Sequence, residues 1–140
     1  MSNAAILSPV FVQVALTLAL LVALGRARWR ASREQGIHIR DIALGQDRWP
    51  EQPTKIARAY TNQFEAPTLF YAVVAMALAA RLTDVVFVAL EWGYVLLRVA
   101  HAYVHVTSNH VPTRFRIFLT SVGVLIALWV WLALKAVGLI

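Results

Sequence analysis

Four stretches of this chain are each apolar for about the length that crosses a bilayer, and that limits what it can fold into. The first, Ala4 to Leu24, is interrupted only by Ser8, Gln13 and Thr17. Its 21 residues span a hydrocarbon core of roughly 30 Å when wound as a helix. The second opens at Thr54 or Lys55 and runs to about Ala80, the third from Val85 to about Thr107, the fourth from Thr113 to about Val137. Composition agrees: 60% of the 140 residues are hydrophobic and 14% charged. A soluble domain carries about 25% charge. The reading is a single all-α integral membrane domain, a bundle of four transmembrane helices.

Local signals fit. Pro9 falls in the first turns of its helix, where a missing N–H costs least. That helix is expected to continue through Arg26 to Arg30, about residues 4–30, with Trp29 and the arginines at the lipid–water interface. The N-terminal segment has no basic leader or convincing cleavage site, so it reads as a retained helix. Pro67 lies inside the second segment and predicts a kink there.

The net charge of +6 is not spread over a polar face as in a nucleic-acid binder. Eight of the 13 Lys/Arg lie between Arg26 and Arg58, in and beside one loop. Arg114 and Arg116 flank the third turn, whereas the second turn holds only Arg81 and the C-terminal end only Lys135. The positive-inside rule then places the first and third loops in the cytoplasm and both termini outside. The first loop, about residues 32–53, is long and carries Arg33, Glu34, Arg40, Asp41, Asp47, Arg48 and Glu51. It reads either as a cover over a site or as a solvated connector.

Polar residues inside the apolar segments need a reason. Arg58, Asn62 and Glu65 share one helical stripe entering the second segment. Glu91, Tyr94, Arg98, His101 and His105 form another in the third, at offsets of 3, 7, 10 and 14 from Glu91. Arg114 opens the fourth. One explanation is a polar network that glues helices together, for instance Glu65 with Arg98. The other is a pocket: three cations, two imidazoles, an amide and a carboxylate suit a small anionic, peptide-like ligand. His101 and His105 have the spacing of two metal ligands, but Ala-Tyr-Val lies between them instead of the H-E-x-x-H pattern. Nearby arginines also oppose a cation, so no metal site is read. The chain has no cysteine, so thiol chemistry would require a thiol brought by a ligand.

Two blocks, RAYTNQFEAPTLFYAV and RVAHAYVHVTSNHVPTRFRIF, resemble the MAPEG family, membrane-associated proteins in eicosanoid and glutathione metabolism, and its bacterial members in particular. The first carries R-x-x-x-N-x-x-E followed by a proline and an aromatic pair. The second carries R-x-x-H and then a Pro and Arg opening the last helix. The resemblance implies a homotrimer in a bacterial inner membrane, with glutathione as co-substrate held between adjacent subunits near the cytoplasmic face; with the charge count above, both termini are then periplasmic. The resemblance matches Arg58, Asn62, Glu65, Arg98 and His101 to glutathione-binding positions and Arg114 to thiolate stabilisation; His105, on the same stripe as Arg98 and His101, is counted with the binding residues. The implied function is a glutathione transferase or peroxidase acting on a small lipophilic electrophile or hydroperoxide. The alternative is a non-catalytic binding or assembly protein of the same fold. Three positions depart from the family pattern: His105 and Phe118 stand where tyrosine is usual, and Thr61 where arginine is usual.

Overall fold

The computed structural model of the chain describes residues 2–37 and 49–140. Every regular element among them is helical: α1 (Asn3–Gln35), α2 (Glu51–Thr61), a 3-10 turn (Asn62–Phe64), α3 (Ala66–Ala80), α4 (Val85–Val106) and α5 (Val111–Ala136). Helix α2, the turn and α3 together form the second span, so four spans long and apolar enough to cross a membrane are present. Arg40, Asp41, Asp47 and Arg48, and with them the reading of the first loop as a cover or a connector, lie outside the described residues.

The helices begin and end where local chemistry says they should. Ser2 caps α1, its hydroxyl accepting from the Ala5 N–H, and Gly36 closes the helix in the left-handed conformation. Asp84 caps α4 by accepting from the Phe87 N–H at 2.8 Å. Helix α2 starts at Glu51, ahead of Thr54, and the Thr54 hydroxyl folds back to the Pro50 carbonyl at 2.9 Å.

Pro67 does not kink a continuous helix. The second span is cut just ahead of it, where Glu65 adopts φ −93° and ψ −106°. Pro67 then occupies the first turn of the new helix α3, where its absent N–H leaves no partner wanting. The break, not the proline ring, redirects the span.

Burial is reversed relative to a soluble bundle. Phe11, Leu18, Leu69, Met76, Leu96, Phe115, Leu119 and Ile126 are exposed, while Gln13, Gln63, Glu91, Arg98, His101, His105 and Ser121 are buried. Lipid is the solvent that rewards this arrangement, because exposed leucine costs nothing there and exposed charge costs a great deal. The main apolar core joins Ile6 of α1, Phe70, Val73 and Ala77 of α3, Phe87, Tyr94 and Val95 of α4, and Leu125, Leu128 and Leu132 of α5. The Phe70 and Tyr94 rings stack within it at 4.8 Å. A smaller cluster of Leu20, Ala59 and Ala102 holds α1, α2 and α4 together. Small Ala59 and Ala102 let those helices approach closely at the end where the polar stripes converge.

Candidate functional site

The break in the second span decides where the polar side chains point. Asn62 ends α2, and Glu65 sits at the corner before α3. On α4, Arg98, His101 and His105 recur at helical spacing and are all buried. They face the second span: Arg98 donates from Nη2 to the Asn62 carbonyl oxygen at 3.0 Å, and the Asn62 amide nitrogen makes a long 3.5 Å contact with His105 Nδ1. The two imidazoles meet edge to face at 5.7 Å.

Two clefts open on this face. One, of about 330 Å³, is lined by Trp49, Glu51, Thr54, Lys55, Arg58, His105 and Asn109. The other, of about 220 Å³, is lined by Asn62, Glu65, His101, Val111, Arg114, Phe115 and Phe118. Asn62 and His105, one in each cleft, touch across the divide. Together the clefts gather six of the seven residues singled out from the sequence. The seventh, Arg98, is fully buried and lines neither.

Charge is distributed unevenly along this face. Arg58 and Glu65 are exposed and Arg114 is half-buried. Among the described residues none of the three has an ion-pair partner, and Glu65 does not pair with Arg98. Lys55 is held at 2.6 Å by Glu51, one turn earlier. Arg114 is positioned by a hydrogen bond from Nη1 to the Asn109 side-chain oxygen at 2.5 Å. The wall opposite Glu65 is apolar, formed by Val111, Phe115 and Phe118 of α5. Phe118 also lies 5.8 Å from the His101 ring and 6.0 Å from the Arg98 guanidinium carbon. A site of this kind offers separate cations and a separate carboxylate to one ligand, with an apolar wall beside them.

Three contributors escape a reading of the sequence. Asn109 holds Arg114 from the turn between α4 and α5, where its φ of +50° is one that asparagine tolerates better than most residues. Its place in Ser-Asn-His-Val-Pro marks a turn but not a role. Trp49 closes the first cleft, with the Arg28 guanidinium 5.3 Å from its ring centre. Gln63 receives the Gln13 amide at 2.9 Å, a buried pair fixing α1 against the break.

Four apolar spans with buried polar stripes and a charged double cleft at one end define an integral membrane protein of the four-helix type. The model of the MAPEG family matches residues 6–134, and the chain belongs to that family. No curated protein and no solved structure matches it. Membership supports a membrane function related to glutathione in general terms.

Proposed function

We propose that this chain is a glutathione-dependent transferase or peroxidase of a bacterial inner membrane, acting as a homotrimer on a lipophilic electrophile or hydroperoxide. The observation that carries the reading is the second cleft. It sets a carboxylate, Glu65, an amide, Asn62, and a cation, Arg114, around one space with an apolar wall, and neither charge has an ion-pair partner among the described residues. Glutathione has two carboxylates, one ammonium and amide groups, and this donor set fits it. Glu65 takes the ammonium and Asn62 an amide, while Arg58, in the adjoining first cleft, takes a carboxylate. His101 and His105 bound the site from α4, and Arg98 holds Asn62 in place through its carbonyl.

Glutathione, when bound, supplies the thiol that the chain itself lacks. Arg114 favours the ionised form of a sulfur placed near it, as a neighbouring cation does for any acid. Its hydrogen bond to Asn109 keeps the guanidinium on station. Val111, Phe115 and Phe118 admit an apolar partner from the bilayer side and exclude water. The clefts hold the expected cytoplasmic end, the end that gathers Arg58 and Arg114, which leaves both termini periplasmic by the positive-inside rule.

The test uses purified full-length protein in detergent. Glutathione should raise its melting temperature, and a chloronitroaromatic electrophile should be conjugated. Arg114→Ala should lose conjugation while melting normally without ligand. Turnover unchanged in Arg114→Ala removes the assigned role. A missing glutathione shift together with missing turnover favours the non-catalytic alternative.

A further inference from the structure

At the end of the bundle opposite the glutathione clefts, a separate polar cleft of about 430 Å³ is lined by Asn3, Ile6, Leu78, Arg81 and Thr83. Arg81 follows α3 and closes it in the left-handed conformation, φ +56°. The Arg81 N–H bonds the Leu78 carbonyl at 3.2 Å and the Leu82 N–H bonds the Ala77 carbonyl at 3.0 Å, a closure for which glycine is the strain-free residue. An arginine here is a backbone outlier whose side chain lines a cavity.

Its charge is also left available. Asp84 stands three residues further on, yet its carboxylate is engaged by Lys135 at 2.7 Å and by the Trp131 indole N–H at 3.2 Å. Among the described residues Arg81 has no ion-pair partner, and no carboxylate lines the cleft. Asn3 and Thr83 add an amide and a hydroxyl, and Asn3 opens α1, so the positive end of that helix dipole lies at the same mouth. Ile6 and Leu78 make the rest of the wall aliphatic. The cleft sits where two spans turn, and Trp131 beside that turn is the kind of residue that marks the lipid–water boundary.

We propose that this cleft binds the phosphate group of an anionic phospholipid. The Arg81 guanidinium engages the phosphate oxygens as a fork, with Thr83 and Asn3 donating beside it. The lack of a lining carboxylate leaves an amine headgroup without a partner, so phosphatidylglycerol is preferred to zwitterionic lipids. The site is independent of the glutathione clefts and of any activity there.

The experiment titrates full-length protein in non-ionic detergent with short-chain phosphatidylglycerol, with phosphatidylcholine and with inorganic phosphate, reading the melting temperature. Phosphatidylglycerol should raise it, phosphatidylcholine much less, and phosphate alone not at all. Arg81→Gly, which suits the left-handed backbone, should weaken the phosphatidylglycerol response about fivefold, the effect of one basic residue at a membrane surface. Arg81→Gln keeps the side chain's bulk without its charge and should do the same. An undiminished response in both variants overturns the site. Equal responses to phosphatidylcholine overturn the anionic preference, and an equal response to inorganic phosphate overturns the lipid assignment.

Discussion

The Arg98 guanidinium reaches from the third span to the backbone of the second, donating from Nη2 to the Asn62 carbonyl oxygen at 3.0 Å. In an unbroken helix that carbonyl would accept from the amide four residues on, but the helix stops at Glu65. Hydrocarbon offers no water to replace the lost partner, so a neighbouring side chain must. Arg98 therefore anchors the break and, through it, the Asn62 side chain that faces the cleft.

Replacing Arg98 by methionine keeps much of the side chain's length and removes the donor. We expect a loss of about 1 kcal/mol, the lower end of the cost of leaving a carbonyl unpaired, because Asn62 is half-buried. Glutathione should also protect the variant less against heat, because Asn62 is no longer held. Thermal denaturation with and without glutathione reads both effects. Unchanged stability would mean that Asn62 finds another donor.

The four spans were legible because hydropathy over about 20 residues needs no tertiary information. The second span's interruption was half legible. Pro67 announced trouble, but the cut falls at Glu65, because moving it there lets the proline sit in a first turn where its N–H is not needed. The α4 stripe was legible from spacing alone, since Arg98, His101 and His105 are all buried on one face. What spacing could not say is that Arg98 serves the backbone of Asn62 instead of pairing with Glu65. Nor could it show the Gln13–Gln63 contact, whose partners are 50 residues apart, or Asn109 holding Arg114. The Arg98 and Gln13 contacts pair different spans, and one sequence carries no register between helices; the Asn109 contact is local but depends on the left-handed backbone of the turn, which the sequence does not specify.

The Gln13–Gln63 pair should behave as a mutual dependence. Gln13 donates to Gln63 at 2.9 Å, and Gln63 donates onward to the Ala59 carbonyl at 2.9 Å. Gln13→Leu leaves the Gln63 oxygen buried and unpaired, a loss of about 1–2 kcal/mol given typical interhelical pairs in membranes. The double change Gln13→Leu with Gln63→Leu should recover only part of that loss, since it removes the stranded Gln63 oxygen but also takes the side-chain donor from the Ala59 carbonyl. Melting temperatures of the two single variants and the double variant complete the cycle.

A second latch, at the far end, is pH-dependent. Burial pushes the Asp84 carboxyl up, but hydrogen bonds from Lys135, the Phe87 N–H and Trp131, with the Lys135 charge, outweigh it and hold the group below its ordinary value. A depressed folded value means that the contribution is complete above about pH 4 and is lost as pH falls through the folded value. Both partners are partly exposed, at 24% and 29%, so Asp84→Asn should cost no more than about 1 kcal/mol at neutral pH. Asparagine still caps α4, whereas Asp84→Ala also forfeits the cap, a further loss of about 0.5–2 kcal/mol. The gap between wild type and Asp84→Asn should close under acid. A gap that stays constant from neutral to acid pH would mean that the pair contributes nothing to stability.

Phe118 offers the sharpest test of how the cleft differs from the family pattern. Its ring lies 5.8 Å from that of His101 and lines the same space as Arg114 and Glu65. Phe118→Tyr adds one hydroxyl to a half-buried ring. That hydroxyl adds a donor to a wall that is otherwise apolar, and a net hydrogen bond contributes about 0.5–1.5 kcal/mol. Glutathione affinity should therefore rise by roughly two- to tenfold, read as a lower glutathione concentration at half-maximal thermal shift. The gain should vanish in the Arg114→Ala background if the new hydroxyl and the guanidinium act on the same sulfur, and persist if they act on different parts of the ligand. A Phe118→Tyr variant that binds glutathione no better than wild type would place the thiol away from this wall, toward the first cleft beside Arg58 and His105.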